Sequence, residues 1–157
     1  MLSRDFLRSA PLFSALSDAD ADALAALGRE ESYPKGRFIF REREPSGKLY
    51  LVVAGVVEIS KASPAGERPA SLARLERGDI LGEVSAFDGG PRSTSAAAAV
   101  TPESRVAVWD MEDIHAFMSA RPTAAAEILR RLVKILGERL RRTSEAVQVL
   151  LRALNAG

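Results

Sequence analysis

The residues best suited to handling a charged small molecule fall in one stretch, Leu81-Gly82-Glu83-Val84-Ser85-Ala86-Phe87-Asp88-Gly89-Gly90-Pro91-Arg92-Ser93-Thr94. It sets a glycine beside a carboxylate and places an arginine nine residues after that carboxylate, across a glycine-rich bend. A guanidinium offers a planar fork of N–H donors that matches a phosphate monoanion, and backbone N–H groups can add to it. A carboxylate accepts from a sugar hydroxyl. Gly82 has no Cβ, so its backbone can come close to a ligand. Together these types suit recognition of a phosphate ester with a free hydroxyl beside it. Taken alone, the same residues also read as a surface loop closed by a structural Glu83–Arg92 ion pair.

The stretch resembles the phosphate-binding cassette of cyclic nucleotide-binding domains, as in catabolite activator proteins and the regulatory subunits of cAMP-dependent kinase. The resemblance implies that Glu83 accepts from the ribose 2′-OH and that Arg92 pairs with the cyclic phosphate. Ser93 and the nearby backbone amides would add hydrogen bonds to that phosphate, and Gly82 would provide clearance. Val84, Ser85 and Thr94 complete the cassette's expected ligand contacts. The implied fold is mainly β with flanking α: a double-stranded β-helix, or jelly-roll-like β-roll, with N-terminal helices and a long C-terminal dimerisation helix. Gly36, Gly55, Gly78 and Gly82 fall where the family's β-roll turns its corners, and Pro11-Leu12-Phe13-Ser14-Ala15-Leu16-Ser17 resembles the family's opening. One departure concerns the turn at 42–47, where Arg43 stands in place of the usual glycine. A non-glycine there must avoid positive φ or tolerate strain.

Other chemistries lack their residues. There is no cysteine, which removes disulfides, iron–sulfur clusters and thiol catalysis. The single histidine, His115, has no second histidine or cysteine to build a zinc site or a nucleophile–base pair, and it reads as an ordinary helix residue outside any pocket. Ser85 and Ser95 have no visible base. No catalytic residue, metal or cofactor is expected. The net charge of +1 implies no strong field toward nucleic acid or membrane. No run is long enough to span a bilayer and the N-terminus lacks a signal-peptide core, so the expectation is a cytoplasmic protein with no membrane partner.

The elements that must position the cassette follow from periodicity. Residues 1–32 are expected to hold the N-terminal helices, with Ser17 as an N-cap before acidic Asp18 and Asp20 and Gly28 as the stop. Residues 33–110 read as an all-β sandwich or barrel, in the place where the resemblance implies the β-roll. Its short apolar runs, at Phe38-Ile39-Phe40, Leu49 to Val53, Val56 to Ser60, Ala70 to Leu75, Ala96 to Val100 and Val106 to Trp109, are separated by turn residues. Ser63-Pro64-Ala65-Gly66 reads as a hairpin tip. The four alanines at 96–99 favour helix by propensity, but their flanking Ser, Thr and Pro residues argue for a buried strand. Trp109 is expected in the core. Asp110-Met111-Glu112-Asp113 reads as an N-cap box opening a short helix over 111–121. Pro122 then suits the first turn of a helix running to about 155, roughly 50 Å at 1.5 Å per residue. The whole chain, 1–157, is expected to form one domain.

The long helix carries Leu129, Val133, Leu136, Leu140, Thr143, Val147, Leu150 and Leu154 at alternating steps of four and three, a coiled-coil seam with one polar member. Its expected partner is the same helix in a second copy. Thr143 has two readings. It fixes register, or, by resemblance to the central helix of catabolite activator proteins, it meets the adenine amine. By the same resemblance Ser144 reaches the ligand held by the other subunit, and Arg139 points toward the phosphate or Glu83. The basic residues Arg130, Arg131, Lys134, Arg139, Arg141 and Arg142 read as a solvated helix face. Too few residues follow the seam for a helix-turn-helix, so no direct DNA contact by this chain is expected. The leading reading is a homodimeric receptor for a cyclic nucleotide, cAMP or possibly cGMP, that signals through its long helix. The alternatives are a ligand-free β-roll serving as a dimerisation module and a small-molecule enzyme of the same shape.

Overall fold

The computed structural model describes residues 2–63 and 66–157. Its core is set by two runs that are apolar on every residue. In β3 (Lys48–Ala54), Leu49 to Val53 are all buried. Successive side chains of a strand point to opposite faces. Leu49, Leu51 and Val53 therefore join a cluster with the helices, while Tyr50 and Val52 join a second cluster inside the roll. β8 (Glu103–Asp110) does the same, with Ala107 and Trp109 on the helix side and Val106 and Val108 on the other.

These strands lie at the centre of an antiparallel sheet ordered β1 (Arg29–Pro34), β8, β3, β6 (Ile80–Leu81). The facing antiparallel sheet runs β2 (Phe38–Phe40), β7 (Ser95–Ala99), β4 (Val56–Lys61), β5 (Ala70–Leu75). The result is a mainly β fold of two sheets with flanking helices. The alanine run is strand: β7 pairs with β2 on one side and β4 on the other, and Ala96 and Ala98 are buried. Two-sided pairing overrides intrinsic preference. The proposed tip at 63–66 includes residues 64 and 65, which lie outside the described residues.

The N-terminal segment forms α1 (Arg4–Ser9), a 3-10 turn at Pro11–Phe13 and α2 (Asp18–Leu27). Ser17 caps α2, its Oγ accepting from the Asp20 N–H at 3.1 Å. Gly28 ends that helix with φ −88°, an extended conformation open to any residue. The need for glycine is packing: a Cβ there would sit 2.7 Å from Trp109 Nε1. Trp109 itself is fully buried and donates to Leu24 O at 2.8 Å. The chain is already strand from Arg29, paired residue for residue with β8, so the roll begins before residue 33.

α4 (Met111–Ala120) lacks the expected capping box, because Asp110 accepts from Arg29 Nη1 at 2.9 Å instead of from its own helix. α5 (Pro122–Asn155) buries Ala124, Ile128 and Leu132 against the roll's helical cluster. From Leu140 onward every residue of α5 is exposed.

Among the described residues, two that are not glycine adopt positive φ, Arg43 at 70° and Val100 at 62°. A β-branched side chain is strained there. Val100 is about half exposed, so it gains little from packing. Val100→Gly should raise stability by about 1 kcal/mol, read as a higher urea midpoint at unchanged m-value.

Candidate functional site

Arg92 lies in the loop before β7, and its side chain is only 3% exposed. Burying a guanidinium is costly unless its donors are matched. Nη1 donates to Gly82 O at 2.7 Å and to Ser85 Oγ at 3.0 Å; Nη2 donates to Lys48 O at 2.7 Å. Its plane lies against the rings of Phe40, 4.4 Å away, and Tyr50, 5.5 Å away. Burial still lowers its pKa, an effect opposed by Tyr50, Glu83 and Glu44. Nε is the exception to this matching: it is buried and has no hydrogen-bond partner, alone in this respect among the described side chains.

The segment read as a glycine-rich bend contains a helix, α3 (Glu83–Asp88), bounded by Gly82 and Gly89 in the left-handed region. Gly82 is required for two reasons. Its φ is 74°, and a Cβ would collide with Arg92 Nη1 and approach Phe40 Cε1 to 3.3 Å. The clearance it provides is thus toward the guanidinium.

Glu83 starts α3 and is 6% exposed. It does not pair with Arg92. Its Oε1 accepts from Arg139 Nη1 at 2.5 Å, and Arg139 Nη2 donates to Ile80 O at 2.9 Å, so α5 is tied to the cassette. Oε2 accepts no hydrogen bond among the described residues. Ser85 is buried with its hydroxyl on Arg92, while Ser46 Oγ donates to its carbonyl at 2.7 Å.

The cassette faces a cleft of about 490 Å³, a size suited to a small organic ligand. Gly82, Glu83, Val84, Ser85, Arg92, Ser93, Thr94, Arg139 and Thr143 all line it. Ser144 is exposed on α5 and does not. Thr143 Oγ1 donates to Arg139 O at 3.0 Å, which leaves its lone pairs toward other groups. The sequence reading missed the cleft's second wall: Phe40, Ile59, Leu72, Ala73, Leu75 and Arg142. Leu72, 55% exposed on a strand, is the one such residue whose burial looks incomplete. No local pattern announces these residues, because they come from β2, β4, β5 and α5. No cluster of metal-ligating side chains exists among the described residues. His115 is exposed on α4, away from the cleft. No helix among the described residues is long and apolar enough to cross a membrane.

A β-roll with a buried arginine and glutamate at one cleft, flanked by a long helix, is the architecture of a small-ligand-binding domain. The family model described as the cyclic nucleotide-binding domain matches residues 30–121, and the chain belongs to that family. It is 33% identical over 147 residues to a CRP-like cAMP-activated global transcriptional regulator of Mycobacterium tuberculosis, covering 94% of this chain and 62% of that protein. The crystallised N-terminal domain of a transcriptional regulator from Streptomyces coelicolor superposes with a TM-score of 0.73 at 34% identity, covering 91% of this chain and 95% of that one. The catabolite activator protein of Thermus thermophilus gives 0.76 at 29% identity, covering 90% and 63%. The chain thus spans a little under two thirds of the length of the curated relatives it matches first.

Gly82→Ala should cost roughly 2–4 kcal/mol of stability, the sum of a left-handed Cβ and a displaced guanidinium. Urea unfolding would measure it, and Gly89→Ala, with nothing within 4 Å of its added Cβ, should cost only the backbone part.

Proposed function

We propose that this chain is a receptor module for cAMP that acts as a homodimer and passes the bound state to α5. The observation that carries the reading is the partnerless Nε–H of a buried Arg92 at the wall of a ligand-sized cleft. A ring phosphate supplies the acceptor and the counter-charge this guanidinium lacks. Ser93, Thr94 and their amides add donors from the adjoining loop. Glu83 Oε2 takes the ribose hydroxyl while Oε1 stays with Arg139. Val84 and Ser85 flank the sugar side. The matching relatives are named as regulators and not as enzymes, in keeping with a receptor.

Adenine over guanine follows from Thr143. Its hydroxyl proton is committed to Arg139 O, so the oxygen is left to accept, as an exocyclic amine at position 6 requires and a carbonyl there does not. Ser144, which turns away from its own cleft, is assigned to the ligand of the second subunit.

The dimer rests on an uncovered stripe. Leu129, Val133, Leu140, Val147, Leu150 and Leu154 are between 43% and 76% exposed. Leu136 is the exception, since it already packs against the chain's own core and can give the partner only its remaining surface. A second copy of α5 across a twofold axis covers the stripe in full.

Calorimetric titration should give saturable cAMP binding at micromolar or tighter affinity, with cGMP weaker in competition. Absence of binding by folded protein would leave a ligand-free dimerisation module. Arg92→Ala should weaken cAMP binding more than tenfold while the nucleoside adenosine is little affected. Leu140→Glu with Val147→Glu should convert a dimer into a monomer by sedimentation velocity; an unchanged mass would place the interface elsewhere.

A further inference from the structure

The loop that carries Arg92 is held from outside the cleft by groups that never enter it. Arg92 O accepts from Arg43 N at 2.7 Å, and Arg92 N donates to Glu44 O at 2.9 Å. One residue on, Ser93 O accepts from Lys61 Nζ at 2.8 Å. Lys61 is in turn placed by Glu42, whose Oε1 is 3.3 Å from Nζ. Glu42 is itself fixed at both ends: its Oε2 accepts from Ala62 N at 2.9 Å, and its own N–H donates to Ser95 Oγ at 2.8 Å. Neither Lys61 nor Glu42 lines the cleft.

Every described peptide bond is trans, so in each unit the N–H points opposite to the C=O. The unit Arg92–Ser93 has its carbonyl tied to Arg43, and the unit Ser93–Thr94 has its carbonyl tied to Lys61. The N–H groups of Ser93 and Thr94 therefore point away from these anchors, at two residues that line the cleft. Neither N–H has a partner within the described residues. Two consecutive free amides beside a buried guanidinium form an anion-binding concavity.

We infer that Lys61, held by Glu42, is a positioning residue for phosphate recognition: by fixing the Ser93 carbonyl it turns the Thr94 amide toward the ligand. The inference rests on the receptor reading above and adds to it a residue outside the site. The ammonium touches no ligand atom. It sets the orientation of one peptide plane, and the strained left-handed Arg43 delivers the N–H that sets the preceding one.

The test has two arms, using wild type, Lys61→Met and Lys61→Arg of the full chain, each first checked for an unchanged melting temperature. In the ligand-free arm, the 15N resonance of Thr94, which reports on the carbonyl of its own peptide unit, should move in Lys61→Met and return toward wild type in Lys61→Arg. In the ligand arm, affinities are measured for cAMP and for the two phosphorothioate diastereomers, in which sulfur, a poor acceptor, replaces one exocyclic oxygen or the other. Lys61→Met should weaken cAMP about tenfold, the scale of one lost hydrogen bond to an anion. It should also change the affinity ratio of the two diastereomers, with Lys61→Arg restoring it. A purely structural role lowers all three affinities by one factor and leaves the ratio fixed, and that result overturns the inference. So does a Thr94 resonance that stays in place in Lys61→Met. If wild type binds none of the three ligands, the receptor reading falls and takes the inference with it, a failure distinguished from the others because it occurs before any substitution.

Discussion

A desolvated guanidinium sets the terms for the rest of this molecule. Arg92 is almost wholly buried, and the fold answers with two backbone carbonyls, one hydroxyl and two aromatic rings. They converge from separate parts of the chain: Gly82 before α3, Ser85 within it, Phe40 from β2, and Lys48 and Tyr50 both from β3. Hydrogen bonds to a charged donor are stronger than neutral ones, and leaving such a donor unmatched inside a protein is expensive. The fit is complete except at Nε. That residual mismatch gives an incoming anion more to gain than it would from an arginine already solvated by water, since the cost of stripping the guanidinium has been met during folding.

The same constraint explains why the surrounding chain is unusual. Gly82 must be glycine because the guanidinium occupies the space a Cβ would take. Arg43 adopts φ of 70°, so the family's glycine at that turn is replaced without abandoning its conformation; the strain is tolerated because the turn hydrogen-bonds to the Arg92 backbone in both directions. α5 enters through a separate contact. Arg139 reaches from the long helix to Glu83 and to the Ile80 carbonyl, so any ligand that recruits Glu83 competes with or reinforces an existing link to that helix. A ligand shifts an equilibrium only by its differential interaction with two arrangements. The Arg139–Glu83 pair, buried on its carboxylate side only, is the contact within one chain that joins the cleft to that helix. From Leu140 onward every residue of the helix is exposed, which leaves its packing free to respond.

Much of this was legible in the residues. The alternation of apolar runs and turns marked an all-β sandwich or barrel, which the family resemblance narrowed to a β-roll; the run of alanines was correctly read as strand against its propensity, and the glycine, glutamate and arginine picked out by their spacing all line the cleft. Those signals are local: a period of two, a cap, a turn and a cassette each lie within a few residues of sequence. Partnership was not legible. Glu83 and Arg92 looked like a pair and are not; Asp110 looked like a helix cap and serves Arg29; Leu136 looked like free seam and is half taken by the core. The apolar wall from β4 and β5 had no marker at all. Each of these outcomes depends on which strands become neighbours and on which acceptor a long side chain reaches first, and those are settled by packing residues tens of positions apart. Sequence alone determined which groups the protein has to offer. The tertiary structure decided which of them are spent on one another and which buried side-chain N–H is left over, because burial removes water as an alternative partner and leaves a donor only the acceptors the fold brings to it.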